Sequence, residues 1–247
     1  MRIIVRDHPK EIAELAATLV RSQLLRKPDS VLGFATGSTP IPLYDELARL
    51  FQAGLLDMSR MTSYNLDEYA GLPADHPQSY HTFMWAQLFS RVGVRPGQAH
   101  LPNGTAGDLQ AECQRYEAAI QSAGGIDLQI LGIGHNGHIG FNEPAESFSK
   151  KTCAAQLSDS TVQANRRFFA SEAEVPRLAL TMGIGTIFQA RVILLIACGA
   201  DKADIIRQAV CGEITPRVPA SVLQLHPDTT LLLDREAASA LPAALAG

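Results

Sequence analysis

The sequence predicts an α/β fold, one open and mostly parallel sheet flanked by helices, and three observations carry that expectation. Short runs rich in Val, Ile and Leu alternate along the chain with segments of helical periodicity. Runs of this kind are the pattern of buried parallel strands, because helices cover both faces of such a sheet. No linker, repeat or low-complexity stretch divides the alternation, so residues 1–247 read as a single domain. Hydrophobic residues at 46% and charged residues at 19% provide a substantial core and mark no segment for disorder.

The first strand is "RIIV", starting at Arg2. Ile12, Leu15, Ala16, Leu19 and Val20 then recur at the spacing that places them on one helix face. "VLGFAT", Val31 to Thr36, is the second strand, and "GSTPIP" supplies a turn and a helix start. The helix it opens carries Leu43, Tyr44, Leu47, Leu50 and Phe51. "MTSYNL" from Met61, "DLQILGIG" from Asp127, "RVILLIAC" from Arg191 and "TTLLLD" from Thr229 complete the strands. Further helices are predicted over 78–91, 107–122 and 201–211.

Several function classes drop out. A net charge of -4, spread along the chain without a run of lysines or arginines, argues against a nucleic-acid partner. No apolar stretch reaches the roughly 18 to 20 residues of a membrane helix. The opening "MRIIVRDHPKEIAEL" turns charged too early for a secretion signal, so the expected location is the cytoplasm. Cys113, Cys153, Cys198 and Cys211 include no C-x-x-C pair and fit reduced, packing thiols better than zinc or disulfides. Among the histidines, no H-x-x-x-H or H-x-H pair with a carboxylate suggests a metal. His8, His76, His81, His100 and His226 show no partner pattern and read as structural or surface residues.

In open α/β sheets ligands sit beyond the carboxyl ends of the strands, which selects Thr36–Thr39, Asn65–Tyr69, Gly132–Glu143 and Gly199–Lys202. At "ATGSTP", Gly37, Ser38 and Thr39 precede a helix whose free N–H groups could receive a phosphate or carboxylate, or simply cap the helix. The P-loop pattern is absent. Lys202 stands at a helix start, where the dipole disfavours a cation, so it either answers a bound anion or is solvated. Arg166 and Arg167 are adjacent on a helix and point apart, so at most one can share a site with the others. Asp67 in "YNLDEY" is a proton-abstracting base if its cleft is dry and a turn or helix cap if it is not.

"LGIGHNGHIGFNEP", Leu131 to Pro144, contains a literal G-x-G-x-x-G in Gly132, Gly134 and Gly137. Asp159 lies about where an acidic ribose partner would be sought, but a dinucleotide turn should open a helix and Gly140 and Pro144 leave no room for one, which argues against nicotinamide or flavin. The alternative is that the glycines let the backbone bend until Asn136, His138 and Glu143 converge on one ligand, with His135 a loop residue. No G-x-S-x-G elbow marks a serine hydrolase. An anion cradle, a carboxylate and a histidine–carboxylate pair suit proton shuffling on a small phosphorylated substrate, with no cofactor and no metal.

"TGSTP", "YNLDEY", "HPQSYH", "GIGHNGHIGFNEP", "ANRRFF", "ALTMGIGTI" and "LQLHP", in this order over nearly the whole chain, resemble the glucosamine-6-phosphate deaminase family. The resemblance implies a modified Rossmann-like fold and conversion of glucosamine 6-phosphate and water to fructose 6-phosphate and ammonia. It implies Asp67 as the base at C2 of the sugar and His138, assisted by Glu143, as the group that opens the pyranose ring. Gly37, Ser38, Thr39, Arg167 and Lys202 take the phosphate contacts. Some members carry an aspartate where this chain has Asn136, which can only orient by hydrogen bonds. The hexameric members are activated by N-acetylglucosamine 6-phosphate through basic residues; Cys153 and Ala155 stand at the matching positions. The chain is therefore expected to lack that activation and to be a monomer or low-order homo-oligomer. Two rivals share the fold: a 6-phosphogluconolactonase, whose histidine stretch is not followed by "FNEP", and a sugar-phosphate-sensing regulator domain, expected to follow a helix-turn-helix.

Overall fold

The computed structural model describes residues 1–246. In chain order the strands are β1 (Arg2–Arg6), β2 (Val31–Phe34), β3 (Thr62–Asn65), β4 (Asp67–Tyr69), β5 (Ala99–His100), β6 (Leu128–Leu131), β7 (Cys153–Gln156), β8 (Leu178–Thr181), β9 (Val192–Ala197) and β10 (Thr229–Asp234). The helices are α1 (Pro9–Arg26), α2 (Ile41–Gln52), α3 (Tyr80–Gln87), α4 (Leu109–Ser122), α5 (Asp159–Asn165), α6 (Ile184–Phe188), α7 (Ala203–Cys211) and α8 (Ala243–Ala246).

Seven strands form a parallel sheet in the order β1-β10-β9-β6-β2-β3-β5. Both faces are covered, as the apolar runs require. Leu194 and Ile196 of β9 pack with Ile12, Val20 and Leu47 of α1 and α2. Ile193 and Leu195 pack on the other face with Tyr116, Ile187 and Ile206 of α4, α6 and α7. Each such buried aliphatic side chain stabilises the fold by about 1.5–3 kcal/mol before entropy is subtracted.

The strand order sets the position of the site. From β2 the chain builds outward through β3 and β5, then returns to β6 on β2's other side and builds away through β9 and β10. The turns after β2 and β6 therefore leave a crevice where the direction of winding reverses.

Four expectations need correction. A single sheet is not the whole fold, because β4, β8 and β7 form a second, antiparallel sheet. Leu66 joins the two: its N–H donates to Phe34 O at 3.1 Å, and its carbonyl accepts from Met182 N at 2.7 Å. Asp67 follows β3 closely, as expected, and itself opens β4, while the main sheet gains a short edge strand, β5, that the sequence did not predict. The helix predicted over 78–91 divides into α3 and a 3-10 turn at Phe89–Arg91, because Leu88 leaves helical geometry at φ -134°. The helix predicted over 201–211 starts as α7 at Ala203, with Lys202 closing the 3-10 turn before it.

Candidate active site

The crevice holds a cleft of about 250 Å³ lined by residues from both turns. On the β2 side are Gly37, Ser38 and Thr39, immediately ahead of α2. Gly37 turns the chain at φ +94°, a left-handed conformation that a side chain would strain. Pro40 and Pro42 carry no N–H and the Ile41 N–H donates to Ser38 O at 3.3 Å, so an anion at this end of the cleft would meet the Gly37–Thr39 turn and the Ser38 and Thr39 hydroxyls rather than the helix itself.

Arg167 lines the facing wall, its guanidinium 4.7 Å from the Phe168 ring. Lys202 is not among the residues that line the cleft, and its side chain is 14% exposed, with Nζ 4.0 Å from Asp201. Burial and the nearby Arg167 charge pull the lysine below its usual pKa, opposed by Asp201. Two cations close enough to repel each other would be relieved by an anion between them. Asp201 also meets the exposed His135, Nε2 to Oδ2 at 2.7 Å. Of the two arginines, Arg167 and not Arg166 borders the cleft.

Asp67 is 5% exposed on the cleft floor. Burial, reinforced by the Glu68 charge, pushes its carboxyl up to about 8. The Glu68 carboxylate turns the other way and accepts the backbone N–H groups of Tyr69, Tyr80 and His81, which ties β4 to the start of α3. Those bonds fix Glu68 as an anchor and leave Asp67 free to face the cleft.

The glycine-rich loop after β6 brings in the third set of groups. A Cβ on Gly134 would come within 2.2 Å of the His138 ring, so the imidazole lies directly against the backbone. The Asn136 side chain spans the loop: its Oδ1 accepts His138 N–H at 3.2 Å and its Nδ2 donates to Glu143 Oε2 at 2.6 Å. His138 Nδ1 is 3.5 Å from Glu143 Oε2, an ionic contact too long and poorly aligned for a hydrogen bond. The other carboxylate oxygen, Oε1, accepts Thr161 Oγ1 at 2.5 Å and Ser158 N–H at 3.4 Å. Burial opposes ionisation of Glu143, but His138, Thr161 and Asn136 together hold it down to about 2.

The structure thus brings Gly37, Ser38, Thr39, Asp67, Asn136, His138 and Arg167 around one cleft. Glu143 stands behind His138, whereas Lys202 lies outside the lining, near enough to Arg167 for the two charges to interact. Sequence reasoning missed Tyr80, which lines the cleft and stacks on Phe141 with centroids 6.0 Å apart, and Thr161. Tyr80 lies within "HPQSYH", one of the stretches that carry the family resemblance, which gave it no role of its own, and Thr161 had no visible signal, since its partner is remote in sequence. Among the described residues, no group of three or more His, Cys, Asp or Glu side chains is arranged to hold a metal ion.

Residues 6–232 match the family model described as glucosamine-6-phosphate isomerases/6-phosphogluconolactonase. The chain is 52% identical over 241 residues to a glucosamine-6-phosphate deaminase of Halothermothrix orenii, covering 98% of this chain and 100% of that one. It is 50% identical over 242 residues to one of Thermoanaerobacter pseudethanolicus, covering 98% and 96%. A solved structure of a monomeric glucosamine-6-phosphate deaminase superposes with a TM-score of 0.95 at 47% identity, covering 97% of this chain and 100% of that one. A 6-phosphogluconolactonase from Trypanosoma brucei, at 19% identity and TM-score 0.76, covering 98% of each chain, shares the fold.

Proposed function

The chain belongs to the family of glucosamine-6-phosphate isomerases and 6-phosphogluconolactonases, and we propose that it converts glucosamine 6-phosphate and water to fructose 6-phosphate and ammonia. One observation carries this reading: a buried carboxylate, Asp67, poised near pKa 8, shares a cleft with an anion-receiving turn and a histidine–carboxylate pair. A base whose pKa lies near the working pH is suited to removing a proton from carbon next to a carbonyl.

The 6-phosphate is held by Gly37, Ser38, Thr39, Arg167 and Lys202. His138 relays the O1 proton to the ring oxygen as the C1–O5 bond breaks, which opens the pyranose to an aldehyde. Glu143, ionised, steadies the imidazolium formed on the way. Asp67 then takes the C2 proton while the C1 oxygen is protonated, giving an enolamine. Return of a proton to C1 makes the C2 iminium. Water adds to C2, the C2–N bond breaks, and fructose 6-phosphate and ammonia leave. Asn136 cannot titrate; it orients His138 and Glu143 through the two hydrogen bonds described. Organic cofactors and metals have no step in this sequence.

Cys153 and Ala155 bring no charge to β7, so the reading includes an enzyme without activation by N-acetylglucosamine 6-phosphate, a monomer or low-order homo-oligomer acting in the cytoplasm on a small sugar phosphate. No described helix is long and apolar enough to cross a membrane. The test is to incubate purified protein with glucosamine 6-phosphate, without added metal, and to measure ammonia and fructose 6-phosphate together. Equal release of both is expected. Hydrolysis of 6-phosphogluconolactone with no ammonia from the amino sugar would overturn the reading.

A further inference from the structure

Glu143 is held at both oxygens, and the two holds come from different parts of the chain. Oε2 is fixed from within the glycine-rich loop, by Asn136 seven residues earlier. Oε1 is fixed from outside it, by Thr161 in α5, with the Ser158 N–H at that helix's N-cap as a weaker second donor. Thr161 is 5% exposed, so water does not readily replace its hydroxyl.

The direction of the Thr161 bond is forced. An ionised carboxylate can only accept, so the Thr161 hydroxyl donates to Glu143, and the Ser158 hydroxyl 3.1 Å away can donate to Thr161 Oγ1 in turn. A hydroxyl that accepts one bond is a better donor in the next, which strengthens the short contact to the carboxylate. On Glu143's other side His138 is the titratable group that faces it, while Asn136, Thr161 and Ser158 are neutral. The carboxylate must stay aligned with an imidazole it meets at 3.5 Å without a formed hydrogen bond. Such an alignment rests on the groups that fix the carboxylate.

We propose that Thr161 is a positioning residue, whose hydroxyl clamps Glu143 against His138 and so makes the proton relay depend on the seating of α5. The same segment carries Arg167 two residues past the end of α5. This inference rests on the deaminase reading for its kinetics but not for its geometry.

The experiment compares Thr161→Val, which keeps shape and removes the hydroxyl, with Thr161→Ser, which keeps the hydroxyl. Two readouts are taken: steady-state turnover of glucosamine 6-phosphate, and the titration of the Glu143 carboxyl carbon by NMR in the substrate-free protein. Thr161→Val is expected to lower kcat about 10- to 100-fold with KM within about threefold, the range of a displaced acid–base group. Its Glu143 midpoint should move up by about half a unit or more, since a hydrogen bond to the charged form is gone. Thr161→Ser should restore both toward wild type.

An unmoved Glu143 midpoint in Thr161→Val overturns the positioning role, whatever the kinetics. So does a serine variant as impaired as the valine one, which would make the methyl group and not the hydroxyl responsible. If wild-type protein releases no ammonia, the deaminase reading fails on its own, and the NMR arm still decides the clamp.

Discussion

Two carboxylates of the cleft, Asp67 at the start of β4 and Glu143 in the loop after β6, are both mostly removed from water and are driven in opposite directions. Asp67 is pushed up to about 8, Glu143 held down to about 2. Burial penalises ionisation in both cases. The difference is in what else surrounds them. Asp67 has Glu68 as its charged neighbour, whereas Glu143 has an imidazole, a hydroxyl and an amide directed at it. A carboxyl that gives up and takes back a proton near neutral pH can act as a base, and one that stays ionised can only hold its partner. Environment, more than residue type, divides the labour between them.

The largest expected effect tests the first half of that comparison. Asp67→Asn removes the proposed base without changing size, and a positioned base contributes about 10² to 10⁴ in rate, so kcat should fall by that factor with substrate still bound. Turnover within a few-fold of wild type would show that the proton at C2 goes elsewhere. Glu143→Gln keeps the hydrogen-bonding shape but loses the charge beside His138. A fall in kcat of about 10- to 100-fold is expected, smaller because the imidazole itself remains.

The pH dependence sharpens the contrast. For the free enzyme kcat/KM should rise with pH through about 8, because Asp67 must lose its proton before it can accept one. Glu143→Gln should leave that limb where it is, since Glu143 titrates near 2, far below it. A limb that moved with Glu143→Gln, or one absent from the wild-type profile, would dissolve the assignment of separate tasks.

How much of this was legible beforehand differs between the two regions. Most of the main sheet announced itself through runs rich in Val, Ile and Leu, as "RVILLIAC" is, although the two-residue edge strand β5 gave no such run. The second sheet did not. β4 reads "DEY", β7 reads "CAAQ" and β8 reads "LALT", none with the β-branched runs or alternation by which strands are recognised. Their pairing is set by tertiary contacts, among them the Leu66 bridge. Within the site, the glycines around His138 were legible because a sharply bent backbone needs them, and Gly134 indeed admits no side chain against the ring. Thr161 was not, because its importance comes from folding the chain back onto Glu143 from 18 positions further on. The burial that decides whether Asp67 is base or cap is likewise a property of the whole packing, not of "NLDEY".

The smallest expected effect is on stability, and it separates the two carboxylates by sign. Asp67 has a folded pKa raised to about 8 from the ordinary carboxylate range, so the folded state holds its proton longer than the unfolded chain does. Its favourable contribution is present below about pH 4 and is lost as pH rises through about 8. Asn cannot ionise, so Asp67→Asn should match wild type near pH 4 and be more stable at pH 8 and above, by about one to a few kcal/mol, or several degrees in Tm. Glu143 runs the other way: its folded pKa is depressed, so its contribution is present above about pH 4.5 and lost as pH falls toward 2. Glu143→Gln should therefore be less stable than wild type at neutral pH by about 1–3 kcal/mol, with the gap closing in acid. Thermal melts of the three proteins across pH 4 to 9 make the comparison. Asp67→Asn curves that track wild type at every pH would mean that the folded protein does not destabilise the Asp67 anion, and the account of its basicity would fall with them.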